Sequence, residues 1–79
     1  MMPRYICHAD HLPRTSRRYV WADDPSDAVI AYLGNRLRSL SLQPKSIRGH
    51  WVYLALVKRG KTAKQGERTV CVRVVEIFR

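Results

Sequence analysis

Acidic residues are in short supply: six Asp and Glu stand against fifteen Lys and Arg in 79 residues, a formal net charge of +9. Half of those six, Asp23, Asp24 and Asp27, share one short stretch, so the paired carboxylates of general acid–base chemistry are missing. Cysteine is nearly absent too. Cys7 and Cys71 lie sixty-four positions apart and make no disulfide framework, so a reduced, cytoplasmic setting is expected. Glycine-rich phosphate loops of the P-loop or dinucleotide kind do not occur. Uncharged runs stay short: residues 50–57 fall far below the roughly 20 that span a bilayer, so no membrane partner is expected. Charges at Arg4 and Asp10 leave no apolar signal core near the N-terminus.

Catalytic sets are missing as well. Cys7, His8, Asp10 and His11 include metal-capable groups, but zinc needs four converging ligands, usually in paired short spacings. Cys7 and His8 point to opposite faces of a strand. A nucleophilic cysteine needs a base and an orienting group beside it, and His50 and Cys71 differ in strand parity. No metal, no cofactor and no enzymatic activity are expected.

What remains is a globular balance, 46% hydrophobic and 27% charged. Residues 1–79 make a single domain, without internal repeats, low-complexity tracts or linkers. So short a chain buries only roughly 60% of its unfolded surface, so its core is thin.

The organising stretch is residues 48–79. Residues 50–57 and 69–78 are rich in β-branched and aromatic side chains and read as two strands. Residues 58–68 join them as a cationic hairpin tip. Upstream, residues 4–9 and 17–22 read as a first hairpin around the turn-forming Asp10, Pro13 and Ser16. Asp24 then offers an N-cap, with Pro25 at the first helical position and Asp23, Asp24 and Asp27 at the positive end of the helix dipole. A helix is predicted over 25–40, its stripe formed by Val29, Ile30, Leu33, Leu37 and Leu40. Gly34 weakens it without ending it, because Leu37 and Leu40 continue the register. The predicted fold is α+β: a four-stranded antiparallel sheet, order β-β-α-β-β, with one helix packed on one face.

Strand parity sorts the side chains. Ile6, Val20, Ala22, Val52, Leu54, Leu56, Val70, Val72 and Val74 form an aliphatic set that suits the helix stripe. Tyr5, Cys7, Tyr19, Trp21, Trp51, Tyr53, Ala55, Cys71 and Arg73 form an aromatic set, expected on the less covered face. A bulge near Val74 and Val75 would reconcile exposed Arg73 with exposed Glu76.

Two candidate binding sites follow. Lys58, Arg59, Lys61, Lys64 and Arg68 of the hairpin tip can meet phosphates, with Gly60 and Gly66 permitting close approach. The alternative is a tip that is merely solvated and keeps the sheet soluble. Trp21, Trp51 and Tyr53, with Arg17 and Arg73 beside them, can stack bases as single-strand binders do. The alternative there is a second small core or a dimer contact, so a monomer or weak homodimer is expected. The consensus run of RNA-recognition sheets is missing. Arg18 and Arg14 in the first hairpin, with Arg36 and Arg38, spread the positive field around the molecule.

The stretch Tyr19-Val20-Trp21-Ala22-Asp23-Asp24-Pro25-Ser26-Asp27-Ala28-Val29, a strand running through Ala and Asp into a Pro-started helix, resembles many small phage-encoded proteins. In size, basicity and compact layout the whole chain is similar to the anti-CRISPR inhibitors. Those inhibitors share no sequence signature, so no residue roles carry over. The resemblance implies a single-domain inhibitor without catalysis, working in the cytoplasm of a bacterial host. It would dock on a CRISPR effector complex and obstruct target DNA, or alter how the complex meets DNA. Another acidic protein surface is an equivalent partner, and direct DNA or RNA binding is the alternative.

Overall fold

A computed structural model describes residues 2–58 and 66–77. Strands β1 (Arg4–Ala9) and β2 (Arg18–Trp21) form the expected first hairpin. Helix α1 (Pro25–Leu33) follows, then β3 (Leu37–Leu42), β4 (His50–Lys58) and β5 (Glu67–Ile77). All pairings are antiparallel, and the sheet runs β2-β1-β5-β4-β3. The sheet therefore has five strands, not the four expected from sequence.

The additional strand comes from the C-terminal half of the predicted helix. The helix begins as expected: Asp24 is extended, and its carboxylate accepts from the Asp27 amide at 2.8 Å. It stops at Leu33, because Gly34 takes φ 63° and donates its amide back to Ile30. A 3-10 turn over Gly34–Arg36 then delivers the chain to β3. Leu37 and Leu40 mimic helical spacing for a specific reason. The pairing with β4 shifts between Leu37 and Ser39, so a bulge puts residues three apart on one face of a strand. The bulge expected near Val74 is not there: β5 pairs without a break through Val74 and Val75 on both sides.

Helix α1 covers one face of the sheet, where the core lies. Cross-strand register places Tyr5, Cys7 and Ala9 of β1 beside Val72 and Val74 of β5, with Trp51, Tyr53, Ala55 and Val57 of β4 beyond. Most of these are buried; Trp51 is half-buried, with its ring edge-on to Tyr5 at 5.8 Å. The helix meets them with Ala28 and Val29, while Ile30, assigned to the stripe, is 49% exposed. Each face is thus a mixture. Tyr5, Trp51 and Tyr53 join the valines of β5 under the helix, and Val52, Leu54 and Leu56 turn the other way.

Two tyrosine hydroxyls pin the helix. Tyr53 meets the Ser26 hydroxyl at 3.0 Å near the helix start. Tyr32, near its end, accepts from the Ala9 amide at 3.1 Å and donates to the Ser16 carbonyl at 3.2 Å. On the other flank, the Ser46 hydroxyl satisfies both the amide and the carbonyl of Val52, at 2.9 and 3.2 Å. It closes the β3–β4 connection, whose turn uses Gly49 at φ 86°.

The Asp24 cap is the start signal on which helix and sheet agree. Asp24→Ala should cost about 1 kcal/mol of unfolding free energy, read from urea melts, while Asp24→Asn should retain most of it.

Candidate functional site

The face away from the helix has no described element over it. β1, β5 and β4 lie at the centre of the sheet, and their alternate positions are apolar on this side too. Ile6, Val52, Leu56, Val75 and Ile77 are half-buried, and Leu54 is 39% exposed. This is an apolar floor open to solvent.

One corner of the floor is aromatic and cationic. Arg4 pairs opposite Trp21, and Ile6 opposite Tyr19, which puts all four on one face. The Arg4 guanidinium lies 4.6 Å from the Tyr19 ring centre and 5.6 Å from that of Trp21. Both rings are 57% exposed, and Arg4 Nε is buried without a hydrogen-bond partner. Contacts of this type contribute about 0.5–1 kcal/mol each when exposed. They hold the guanidinium against the rings.

Beside the corner is a hollow of about 270 Å³. Ile6 and Val75 form its floor, and His8, Arg17 and Arg73 its sides. Arg73 Nε is 3.2 Å from an Asp10 carboxylate oxygen, but both side chains are well exposed. Such a pair contributes roughly 0–1 kcal/mol and exchanges partners readily. His8 Nε2 lies 3.1 Å from the Leu12 carbonyl and 3.2 Å from that of Pro13, so this nitrogen carries the proton and donates.

The structure therefore divides the sequence-predicted site residues. Arg17, Arg73 and Trp21 come together on the open face. Trp51 and Tyr53 do not: they belong to the helix side, so the expected three-ring platform does not exist. Arg18 pairs with Cys7 and also faces the helix side. Lys58 and Arg68 are exposed where β4 and β5 enter the hairpin, on opposite faces. Arg59, Lys61 and Lys64 lie outside the described residues. Sequence reasoning missed Arg4, His8 and the aliphatic floor. A signal existed for Arg4. The β1–β2 register is symmetric about Leu12 and Pro13, so counting outward from that turn pairs Arg4 with Trp21.

Nucleophilic chemistry finds little support here. Burial pushes the Cys7 thiol up to about 12. Burial also raises that of Cys71, aided by the neighbouring Asp10 carboxylate. Neither is a thiolate near neutral pH. Among the described residues no three His, Cys, Asp or Glu side chains gather to hold a metal ion, and no helix is long and apolar enough to cross a membrane. No protein-family model, curated protein or solved structure matches the chain.

On the helix side, burial and then the Arg68 and Arg36 charges lower the pKa of His11, with His8 adding to this and Asp10 opposing it. The folded protein thus holds His11 neutral where the unfolded chain takes up a proton. Stability should fall as pH drops below about 6.5, and His11→Asn should flatten that part of the profile. Thermal melts between pH 5 and 8 read the difference.

Proposed function

We propose that this chain is a small non-enzymatic binding protein that docks through its uncovered sheet face on an acidic protein surface. In the manner of the phage-type anti-CRISPR inhibitors it resembles, its target is a protein subunit of a CRISPR effector complex, and docking there interferes with target DNA. One observation carries the reading: an apolar floor lies open beside a hollow flanked by Arg17 and Arg73. Aliphatic side chains in that number suit a protein partner, because interface cores are apolar and their rims polar. The net charge of +9 selects an acidic partner and opposes a second copy of the same face.

The Tyr19–Arg4–Trp21 corner favours a second reading, direct binding of single-stranded DNA or RNA. Base stacking there would contribute about 1–3 kcal/mol per ring. Only two exposed rings serve this reading, against at least six aliphatic side chains that it leaves unused.

Expression in a bacterium whose CRISPR system targets an incoming phage tests the first reading. Plaque numbers should rise. Leu54→Asp, and separately the pair Arg17→Ala and Arg73→Ala, should abolish the rise and weaken capture of the effector about tenfold or more, a loss of about 1.4 kcal/mol. Melting temperatures should hardly move. No rise against any effector type tested overturns the inhibitor reading. Mobility shift on free single strands at two salt concentrations tests the second. Tight, salt-sensitive binding that Trp21→Ala removes would establish it in place of the first.

A further inference from the structure

On the helix side a second hollow, of about 250 Å³, opens at the C-terminal end of α1. Leu12, Ser16, Arg18, Tyr32, Leu33 and Arg36 line it. It is a built feature. Leu12, Tyr32 and Leu33 pack against the core, and both hydrogen bonds of the Tyr32 hydroxyl fix its ring as a wall. Two guanidiniums from different elements meet at this wall, Arg18 from β2 and Arg36 from the 3-10 turn after the helix. The ion pairs among the described residues use Arg38 and Arg73, so neither Arg18 nor Arg36 has a carboxylate partner there.

A further observation concerns His11, which precedes Leu12 of the lining. His11 Nδ1 is buried with no hydrogen-bond partner, and the charges of Arg36 and Arg68 bear on that ring. Arg18 and Arg36 thus stand beside an apolar wall, and Asp10, the carboxylate that bears on His11, already pairs with Arg73. The last carbonyls of the nine-residue helix are the negative end of its dipole and attract cations to this end as well, while the last turn itself has no basic residue.

We infer that this pocket binds a small phosphate ester with an apolar or aromatic body, the phosphate on Arg18 and Arg36 and the body against Leu12, Tyr32 and Leu33. Two guanidiniums match the fork geometry and double charge of a phosphate better than a single carboxylate. Size agrees. A dry cavity of about 150 Å³ holds benzene, so the space here takes one ring and a head group. The site is on the opposite side of the sheet from the docking face and does not depend on it.

Phenyl phosphate, inorganic phosphate and phenol are the probes, titrated at constant ionic strength with calorimetry and amide NMR. Phenyl phosphate should bind saturably at one site and shift the amides of Leu12, Tyr32 and Leu33. Inorganic phosphate should bind more weakly, and phenol more weakly still. Arg18→Ala and Arg36→Ala should each weaken phenyl phosphate about tenfold or more, since charge-assisted bonds are lost. Arg48→Ala, which removes an equal charge from the β3–β4 turn, should not. Absence of saturable binding to the unmodified protein overturns the inference. So do shifts confined to other residues, equal losses in all three variants, or inorganic phosphate binding as tightly as the ester.

Discussion

A nine-residue helix is about 14 Å long, whereas five strands side by side span about 19 Å between the outermost pair. One such helix can dry one face of the sheet and no more. That constraint decides where the core lies and what is left open. The core forms where helix and sheet approach closest, and the residues there allow it: Ala28 on the helix, Ala9 and Ala55 on the strands, and Val29, Val72 and Val74 filling the space between, all with no solvent exposure. Larger side chains complete it: Tyr5 and Tyr53 are buried with the valines, and Tyr32 and Trp51 pack half-buried against them.

The tyrosines let so small a core keep a definite geometry. Each has an apolar ring and a polar tip, and the tip needs a partner once the ring is covered. Tyr53 finds Ser26 at the helix start, and Tyr32, near the helix end, finds the Ala9 amide at the end of β1 and the Ser16 carbonyl in the β1–β2 connection. The helix is held at both ends by bonds that only one placement satisfies. Aliphatic packing alone would tolerate a slide along the sheet. The same demand keeps the Tyr32 and Tyr53 rings on the helix side, because Ser26, Ser16 and the Ala9 amide are all found there.

Four of the five strands and the helix start were legible because their signals are local. β-branched runs marked β4 and β5, the turn at Pro13 marked the first hairpin, and Asp24-Pro25 marked the helix start. What was not legible depended on partners. Leu37 and Leu40 are consistent with a helix until the bulge against β4 is known, and with that register continuing past it Gly34 does not read as the helix end that its positive φ makes it. Parity sorts residues within one strand, but it cannot align one strand's parity with another's. The valines of β4 and β5 were therefore grouped together, although Val52 and Val72 face opposite sides. The site suffered from the same gap. Arg17, Arg73 and Trp21 were found from composition near the sheet, whereas Trp51 and Tyr53 were assigned to the wrong face. Arg18 and Arg36, far apart in sequence, gave no sign that they share a pocket.

The distribution of charge bears on which kind of partner the open face suits. Three of the six acids serve the helix start, and two more pair with Arg38 and Arg73, so most of the fifteen basic residues have no acid to spend on them. Nucleic acid rewards cations arranged along one track, since each phosphate contact releases counterions in proportion to their number. Here many of the described cations are divided: Arg4, Arg17, Lys58 and Arg73 are on the open face, Arg18, Arg36 and Arg68 lie on the helix side, and Lys45 and Arg48 sit in the β3–β4 connection. No single strand of phosphates reaches all three groups. A folded acidic protein need touch only one face, and the remaining cations then act at a distance, raising the rate of encounter without entering the interface. For such a partner the apolar floor would supply what a purely electrostatic contact lacks, a surface whose burial would hold the complex once steering had brought the two together.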